Sequence, residues 1–579
     1  MKFKKALSVL IASGIIANAG IPYTTVKSLA AFNENGNAGE NLPSMTREEY
    51  PGNIVKSLAA FNYSDVPNNH WAYSDIASAA EHGIMQGRDD GSFGLGDTVT
   101  RCEFAAMLRR LMGWEQSTAA APAFSDIESG KWYFADVNTL AEHGAADGST
   151  FRPDDLITRR EMAVMLVRAL GYAGIAADEK NTVFTDVTAD GGYIAAAHTL
   201  GIINGKTENT FDPEGFALRE EGAAMMMRLY NRLHQSITEL HGFYAISSWG
   251  QRDIASQMDE VSFGWGRLRC SENGDAELCT TADNGNDWCI PDGAQDAIAY
   301  VRGGGAKINF AVTMTDSGDA EKILTSAQNR AAAIKQLLAA AADFDGITVD
   351  FEGMKGDALR NGLCEFVREL KSQMGDKKLY VAVHPVLKHS AEYYDAYDYR
   401  TLGEYADRII LMAHDYAAFT LPESLLGTDF IATPVTPFDE VYTALKYITD
   451  ENSGVSDKSK IMLALSPASS VAWNTENKRI IDGSSIHPSN ETVQKRLAQS
   501  DTEICYSETY KNPYAFYTTE SGGQVLLWYE DSRSIKAKTD LAKMFGITSV
   551  SVWRIGTIAN GSAAQHMDIW NTLTGSTGK

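Results

Sequence analysis

The sequence is poor in cysteine and proline for its length, and basic residues are outnumbered. Its 579 residues include 6 cysteines and 15 prolines, and 51 Lys and Arg face 75 Asp and Glu, a formal net charge of −24. Phosphate backbones are bound by basic surfaces, and no basic stretch is present, so nucleic acid is not a predicted partner. There is neither a P-loop nor a dinucleotide-binding glycine fingerprint, and we predict no cofactor.

The six cysteines allow one possible disulfide and do not have the spacing of a zinc site. Cys270, Cys279 and Cys289 lie in one predicted loop, where a single disulfide is possible, although the sequence does not choose among the pairings. Cys102 and Cys364 fall in helical patterns and fit small core positions. No CxxC spacing is present, so no metal site is predicted.

The first 62 residues predict an export signal followed by a linker. Lys2, Lys4 and Lys5 precede an apolar run over residues 6–17, and small residues suited to cleavage follow, which predicts a signal peptide over residues 1–31. An uncleaved anchor is the alternative, but a membrane span needs roughly 20 apolar residues and neither this run nor a later one is long enough. Residues 32–62, rich in Asn, Gly and Glu, predict a flexible linker.

From residue 63 to about 230 the chain repeats with a period of about 60 residues. Each unit opens with an aromatic residue, a hydroxyl residue and aspartate, and closes with an arginine motif before an apolar helix. Thr100 and Thr158 fit helix N-caps, with Glu103 and Glu161 completing capping boxes. The three units also share an arginine at the N-terminus of this helix, and capping does not explain it. Free N–H groups at a helix start favour anions. The three arginines are Arg101, Arg159 and Arg219.

The array resembles three tandem S-layer homology domains, at residues 63–115, 123–172 and 183–234. The resemblance implies an all-α, pseudo-threefold bundle that binds acidic secondary cell-wall polysaccharide, and hence a bacterial cell-surface location. It also implies which side chains contact that glycan: Arg101, Arg159, Arg219, Trp71 and Trp132. In the third repeat Leu218 replaces the threonine and Tyr193 replaces the tryptophan.

After residue 238 short apolar runs alternate with helical patterns, which predicts parallel βα units. The eight runs cover residues 242–246, 260–265, 307–313, 346–352, 379–383, 408–413, 460–465 and 549–553. Clear helices are predicted over residues 320–342, 357–374, 438–449 and 533–545. This pattern predicts a (β/α)8 TIM barrel with long insertions after the second and seventh strands.

Two carboxylates, Asp350 and Glu352, end the fourth apolar run, and removing such groups from water costs several kcal/mol unless they are paired or protonated. At the end of a barrel strand they indicate catalysis; a structural pair that holds a loop is the alternative. Further polar or aromatic residues follow other strands and are expected at the same mouth: His384, Met412, His414, Asp415 and Trp553.

The segment Asp345-Gly-Ile-Thr-Val-Asp-Phe-Glu352 resembles the DxxDxDxE signature of glycoside hydrolase family 18, in its bacterial cell-wall and spore hydrolase branch. Thr348 stands where the signature has its second aspartate. Met412-Ala-His-Asp415 resembles the family's Met-x-Tyr-Asp motif with histidine for tyrosine, and Ser551-Val-Trp-Arg-Ile-Gly556 resembles its last strand. The resemblance implies a catalytic domain over residues 238–575.

It also implies roles in a substrate-assisted, retaining mechanism, in which the sugar's acetamido oxygen attacks the anomeric carbon. Glu352 would be the proton donor and Asp350 would orient the acetamido group. Asp415 and His414, through a neutral imidazole N–H, would hold the acetamido carbonyl, beside Met412, and Trp553 would form the floor under the sugar. His384 is a weaker candidate.

These observations predict a cell-surface glycosidase acting on N-acetylglucosamine-containing polymers, either peptidoglycan or chitin-like chains. Thr348 and His414 keep open a non-catalytic, chitinase-like lectin on the same anchor. A structural S-layer-associated protein is the third possibility, and it leaves the strand-end carboxylates unexplained.

Overall fold

The computed structural model describes residues 63–179, 182–245, 248–387, 394–428, 430–560 and 564–575. The predicted signal peptide (1–31) and linker (32–62) lie outside these ranges. Within the described ranges, no helix has the length and apolar character needed to cross a membrane.

The repeat region is built from helices, with short β contacts between the repeats. Its helices are α1 Tyr73–Glu81, α2 Arg101–Leu111, α3 Phe134–Glu142, α4 Arg159–Ala169, α5 Ala173–Asp178, α6 Gly191–Thr199 and α7 Arg219–Leu233. Isolated antiparallel bridges join Thr98 to Leu218, Thr100 to Leu156 and Thr158 to Phe216. The bundle therefore contains strand-like contacts that the all-α prediction did not include.

The predicted N-caps are confirmed for the first two repeats. Thr100 donates its N–H to Glu103 Oε2 at 2.8 Å and its Oγ1 accepts from Glu103 N–H at 3.4 Å. Thr158 and Glu161 form the same box at 3.0 and 3.2 Å. Leu218 has no side-chain oxygen, so helix α7 keeps only the half in which Leu218 N–H donates to a glutamate.

The three shared arginines are buried and tie each repeat to the next. Each Nε donates to a phenylalanine carbonyl: Arg101 to Phe151 at 2.6 Å, Arg159 to Phe211 at 2.9 Å and Arg219 to Phe93 at 2.9 Å. Each guanidinium also pairs with a cap glutamate: Arg101 with Glu161 at 2.7 Å, Arg159 with Glu221 at 3.9 Å and Arg219 with Glu103 at 3.2 Å. Because the third repeat returns to the first, these contacts form a closed ring. Their glycan contact stays a prediction.

The rest of the chain forms the predicted (β/α)8 barrel, and all eight predicted strands are present. They are β1 Glu239–Tyr244, β2 Glu260–Cys270, β4 Lys307–Met314, β5 Gly346–Phe351, β6 Lys378–Val383, β7 Arg408–Leu411, β8 Ile461–Leu465 and β14 Ser549–Val552. Each pairs in parallel with its neighbours, and β1 pairs with both β2 and β14, which closes the barrel.

Helices alternate with these strands. They are α8 Arg252–Ala255, α9 Ala294–Gly303, α10 Ser317–Leu324, α11 Ala327–Ala340, α12 Asp357–Gln373, α13 Tyr399–Tyr405, α14 Phe438–Ile448, α15 Asn490–Leu497, α16 Ser532–Met544 and α17 Ile569–Gly575. The single helix predicted over residues 320–342 is wrong, because Ser326 starts a new helix by accepting from Asn329 N–H at 3.3 Å.

The two predicted insertions carry extra strands. Strand β3, Ala276–Cys279, pairs antiparallel with the end of β2. After β8 a second, antiparallel sheet has the order β10-β9-β13-β12-β11: β9 Ser470–Glu476, β10 Arg479–Ile480, β11 Glu503–Ser507, β12 Asn512–Thr518 and β13 Gln524–Tyr529. All six cysteines are free, so the disulfide considered for the first insertion does not form.

A buried ion pair joins the second sheet to helix α16. Lys538 Nζ donates to both oxygens of Glu530 at 2.6 and 2.7 Å, and both side chains are almost wholly buried. Asn512 Nδ2 also donates to Glu530 Oε1 at 3.1 Å. Burial lowers the pKa of Lys538, and the Glu530 charge opposes that shift. Removing either partner would leave the other charge buried alone.

We therefore expect Lys538→Met to lower the free energy of unfolding by about 3–5 kcal/mol. Urea unfolding followed by tryptophan fluorescence measures this loss. Lys536→Met is the matched control, because Lys536 lies on the same helix with an exposed side chain, and it should change stability by less than about 0.5 kcal/mol. Equal stability of the two variants would contradict a structural role for the buried pair.

Candidate functional site

A cavity of about 430 Å³ opens at the carboxyl ends of the barrel strands. We call it the site cavity. Its walls include every barrel residue predicted for the site: Asp350, Glu352, His384, Met412, His414, Asp415 and Trp553. Its volume lies within the range of small-molecule sites. In the described ranges, no three His, Cys, Asp or Glu side chains are grouped as ligands of a metal ion.

Asp350 is the buried member of the carboxyl pair. It lies near the end of strand β5, is 2% exposed, and its Oδ1 has no hydrogen-bond partner in the described structure. Burial raises the pKa of Asp350 well above its usual value, and the neighbouring Glu352 raises it further. The Asp350 carboxyl is therefore held towards its protonated form, with one oxygen free for a ligand.

Glu352 is the more open member of the pair, with 40% of its side chain exposed. Its N–H donates to the Met314 carbonyl at 2.9 Å, and Tyr397 donates its hydroxyl to the preceding Phe351 carbonyl at 2.7 Å, so the backbone is fixed from two sides. Burial raises the pKa of Glu352; the His414 ring opposes this shift and the Asp415 charge adds to it. A carboxyl with a raised pKa can donate a proton near neutral pH.

His384 supports the turn after Glu352. Its Nε2 accepts from Gly353 N–H at 3.2 Å, and Gly353 has a left-handed φ of 71°. That nitrogen therefore carries a lone pair, and the ring is neutral. Burial, with a contribution from His414, lowers the pKa of His384 to about 4. The 4.0 Å separation of His384 Nε2 from Glu352 Oε2 is thus not an ion pair at neutral pH.

Asp415 is held by two neighbours. Its Oδ2 lies 2.8 Å from His414 Nδ1, Ser469 Oγ donates to Oδ1, and its backbone has a left-handed φ of 59°. Burial acts to raise the pKa of Asp415, but His414, the Ser469 hydrogen bond and His487 outweigh it, so the pKa is lowered. Asp415 is the ionised carboxylate of the cavity.

This contact changes the role predicted for His414. An ionised carboxylate only accepts hydrogen bonds, so His414 must donate from Nδ1 to Asp415. In a neutral ring that is the only N–H, and Nε2 then has none to offer a carbonyl. The prediction that a neutral His414 donates to the acetamido carbonyl does not fit this geometry, whereas holding Asp415 in place does.

Aromatic rings form one wall of the cavity. Trp553 packs edge-on against Phe243 with ring centroids 5.2 Å apart, and Trp288 stacks beside it at 6.0 Å. Trp288 comes from the first insertion, whose conformation the sequence did not indicate. Trp288 packs behind Trp553, whereas Tyr394 and Tyr416 line the cavity itself and were missed. For Tyr416, its place next to Asp415 was a usable signal.

A buried polar chain lies beneath the carboxyl pair and was also missed. Thr348 Oγ1 lies 2.6 Å from Ser262 Oγ, which lies 2.7 Å from His241 Nε2. His241 Nδ1 in turn lies 2.8 Å from Ser551 Oγ. Burial lowers the pKa of His241 to about 3, so its ring is neutral. Hydroxyl and imidazole groups therefore fill the space around the position where Thr348 replaces an aspartate.

Comparison with known proteins divides the chain in two. The family model for glycosyl hydrolases family 18 matches residues 303–557, which hold six of the eight barrel strands. The model for the S-layer homology domain matches residues 62–105, 123–163 and 183–223.

Curated relatives and solved structures match parts of the chain. The exoglucanase XynX of Acetivibrio thermocellus is 34% identical over 190 residues, 31% of this chain and 17% of the relative. An S-layer protein of Bacillus thuringiensis subsp. finitimus is 27% identical over 238 residues, 40% of this chain and 28% of the relative. The chain thus spans less than a third of either protein.

The crystal structure of the Bacillus cereus spore cortex-lytic enzyme SleL is 19% identical, with a TM-score of 0.45 over 59% of this chain and 74% of that one. The family matches are the more specific result, because they coincide with the repeats and with the barrel that holds the site cavity. The chain carries three S-layer homology domains and a glycosyl hydrolase family 18 domain.

Proposed function

We propose that this protein is a cell-surface glycosidase that cleaves β-1,4 bonds in N-acetylglucosamine-containing polymers. The observation that carries the proposal is the unequal carboxyl pair: a half-exposed Glu352 with a raised pKa beside a buried Asp350 with a free oxygen. Two carboxyl groups in different environments take different roles in acid–base chemistry.

In the proposed reaction the substrate supplies the nucleophile. Asp350 holds the acetamido group of the sugar so that its oxygen attacks the anomeric carbon, while Glu352 protonates the departing glycosidic oxygen. The bond between the anomeric carbon and the glycosidic oxygen breaks, and a cyclic oxazolinium ion forms. The Glu352 carboxylate then takes a proton from water, whose oxygen attacks the same carbon and opens the ring with overall retention.

The remaining groups position the sugar and stabilise its charge. Trp553 offers a flat apolar face to the ring, and Met412 lies in the same wall. The ionised Asp415, fixed by His414 and Ser469, places negative charge near the cationic intermediate. Thr348 leaves one carboxylate fewer in the strand than the family signature has, but proton donor and orienting aspartate are both present.

We also propose that the three S-layer homology domains hold the enzyme on secondary cell-wall polysaccharide, after export directed by the predicted signal peptide. Trp71 and Trp132 occupy equivalent positions in two repeats and are 59% and 61% exposed. Exposed tryptophans at matching positions fit sugar stacking. The buried arginines hold the repeats together.

Replacing the proton donor tests the enzyme proposal. We expect Glu352→Gln to lower kcat on peptidoglycan or chito-oligosaccharides by at least about 100-fold, because general acid catalysis contributes about that much or more. Product release is measured by mass spectrometry. Asp357→Asn is the control, since Asp357 is exposed on helix α12. Binding without products, in wild type and variant alike, would instead support the chitinase-like lectin.

The pH dependence follows from the direction of the Glu352 shift. The acid must be protonated to act, so kcat should fall as pH rises through its pKa, and burial places that fall above the usual glutamate pKa of about 4.3. A pH–rate profile on a soluble oligosaccharide measures the midpoint of the alkaline limb. A midpoint at the usual value would contradict the burial of this acid in the working enzyme.

The anchoring proposal is tested with the full chain carrying Glu352→Gln, which keeps the wall intact. We expect Trp71→Ala with Trp132→Ala to reduce co-sedimentation with purified cell-wall sacculi by roughly 10-fold, since sugar–aromatic stacking is lost at two sites. Trp249→Ala is the control, because Trp249 is an exposed tryptophan of the barrel region. Unchanged sedimentation of the double variant would exclude these two side chains from the anchor.

A further inference from the structure

A second cavity, of about 270 Å³, adjoins the site cavity, and Asp415 and Trp553 line both. We call it the Arg554 cavity. Its other walls include Ser469, Ser470, His487, Arg554 and Thr557. A polymer that places one sugar over Trp553 would carry its neighbouring sugar towards this space. The cavity is therefore a position for a second unit of the substrate.

Arg554 is a half-buried cation without a counter-ion. Within the described part of the chain its guanidinium makes no hydrogen bond and no ion pair, and its Nη1 is buried without a partner. Burial lowers the pKa of Arg554, and no neighbouring charge offsets that effect. The buried arginines of the repeats differ, because each has a glutamate partner. A desolvated charge left unpaired is costly, and an anionic ligand would remove that cost.

The backbone around Arg554 is fixed before any ligand arrives. Trp553 N–H donates to the Leu465 carbonyl at 2.8 Å, and Ile555 N–H donates to the Phe243 carbonyl at 3.0 Å. Gln251 Oε1 accepts from Gly556 N–H at 2.8 Å. The guanidinium is thus carried on a segment tied to two barrel strands, which reduces the entropy lost when a ligand binds.

Three hydroxyl donors around the Arg554 cavity are already engaged. Ser469 donates to Asp415, Ser470 Oγ donates to the Pro488 carbonyl at 2.9 Å, and Thr557 Oγ1 donates to the Arg554 carbonyl at 2.8 Å. The guanidinium is the charged donor that remains for an incoming acceptor. Its planar fork matches the two oxygens of a carboxylate.

We propose that Arg554 binds a carboxylate on the sugar next to the one held over Trp553, and so sets the preference of the enzyme for an acidic amino-sugar glycan over neutral chitin. Peptide-free muramic acid, with its lactyl carboxylate, is the matching unit among the polymers named above. This inference rests on the proposed function and selects between its two substrate classes.

The test compares three soluble substrates of equal length with the full-length protein. They are peptide-free oligosaccharides of N-acetylglucosamine and muramic acid, the same oligosaccharides with the carboxyl groups reduced to alcohols, and chito-oligosaccharides. We expect wild type to have a kcat/KM roughly 10- to 100-fold higher on the acidic substrate than on its reduced form, the range that one charged hydrogen-bonded pair supports.

Arg554→Gln should lower kcat/KM on the acidic substrate by a similar factor, chiefly through KM, and change it less than about 2-fold on the other two. Arg554→Lys keeps the positive charge but lacks the planar guanidinium. Its kcat/KM on the acidic substrate should therefore lie between those of wild type and Arg554→Gln. Arg269→Gln is the control, because Arg269 pairs with the half-exposed Glu277 on strands away from both cavities.

Equal rates of wild type on acidic and reduced oligosaccharides, or an equal loss on all substrates in Arg554→Gln, would overturn the inference while leaving the proposed function intact. Hydrolysis of none of the three would instead remove the proposed function. In that case, binding of the Glu352→Gln protein to the same oligosaccharides decides the matter. A preference for the acidic form that Arg554→Gln abolishes supports the carboxylate site, and equal binding rejects it.

Discussion

The electrostatics of the site cavity depend on keeping the carboxyl of Asp350 out of water at the end of a barrel strand. Eight parallel strands close around it, so the group loses solvent without gaining a cation. The response of a carboxyl in that position is a raised pKa, and its neighbour Glu352 is affected in the same direction. The pKa of Asp415 is lowered instead, because His414 and Ser469 donate hydrogen bonds to its carboxylate. Within one cavity, the pKa values of Asp350 and Glu352 are thus raised and that of Asp415 is lowered.

Buried guanidinium groups appear in two contrasting settings. In the repeats, each arginine finds a carbonyl and a glutamate in the next repeat, and the ring of contacts makes three short helical units into one bundle. Beside the site cavity, Arg554 has neither a carbonyl nor a glutamate partner among the residues that the structure describes. In the first setting the charge is paired within the protein, and in the second we propose that a ligand pairs it. This difference, rather than the residue type, separates structural from binding arginines.

Sequence patterns predicted the barrel well because its strands are short apolar runs with fixed places in the βα order. The carboxyl pair was visible for the same reason, as charge at the end of an apolar run. The helix break at Ser326 was missed, since an N-cap inside a long alanine-rich pattern is weak compared with the helical periodicity around it. Trp288 was missed because it lies in an insertion without regular periodicity.

The sequence by itself determined the two-part organisation, the eight strands, and the residues that end them, because periodicity and repeats are local properties of the chain. Only the tertiary structure decided which partners those residues meet. In the folded chain His414 contacts Asp415, and His384 accepts a hydrogen bond from Gly353. Ser262 links Thr348 to His241. Among the described residues, the tertiary structure also gave Arg554 no acidic side chain as a partner. Hydrogen bonding and desolvation depend on neighbours that lie far apart in the chain.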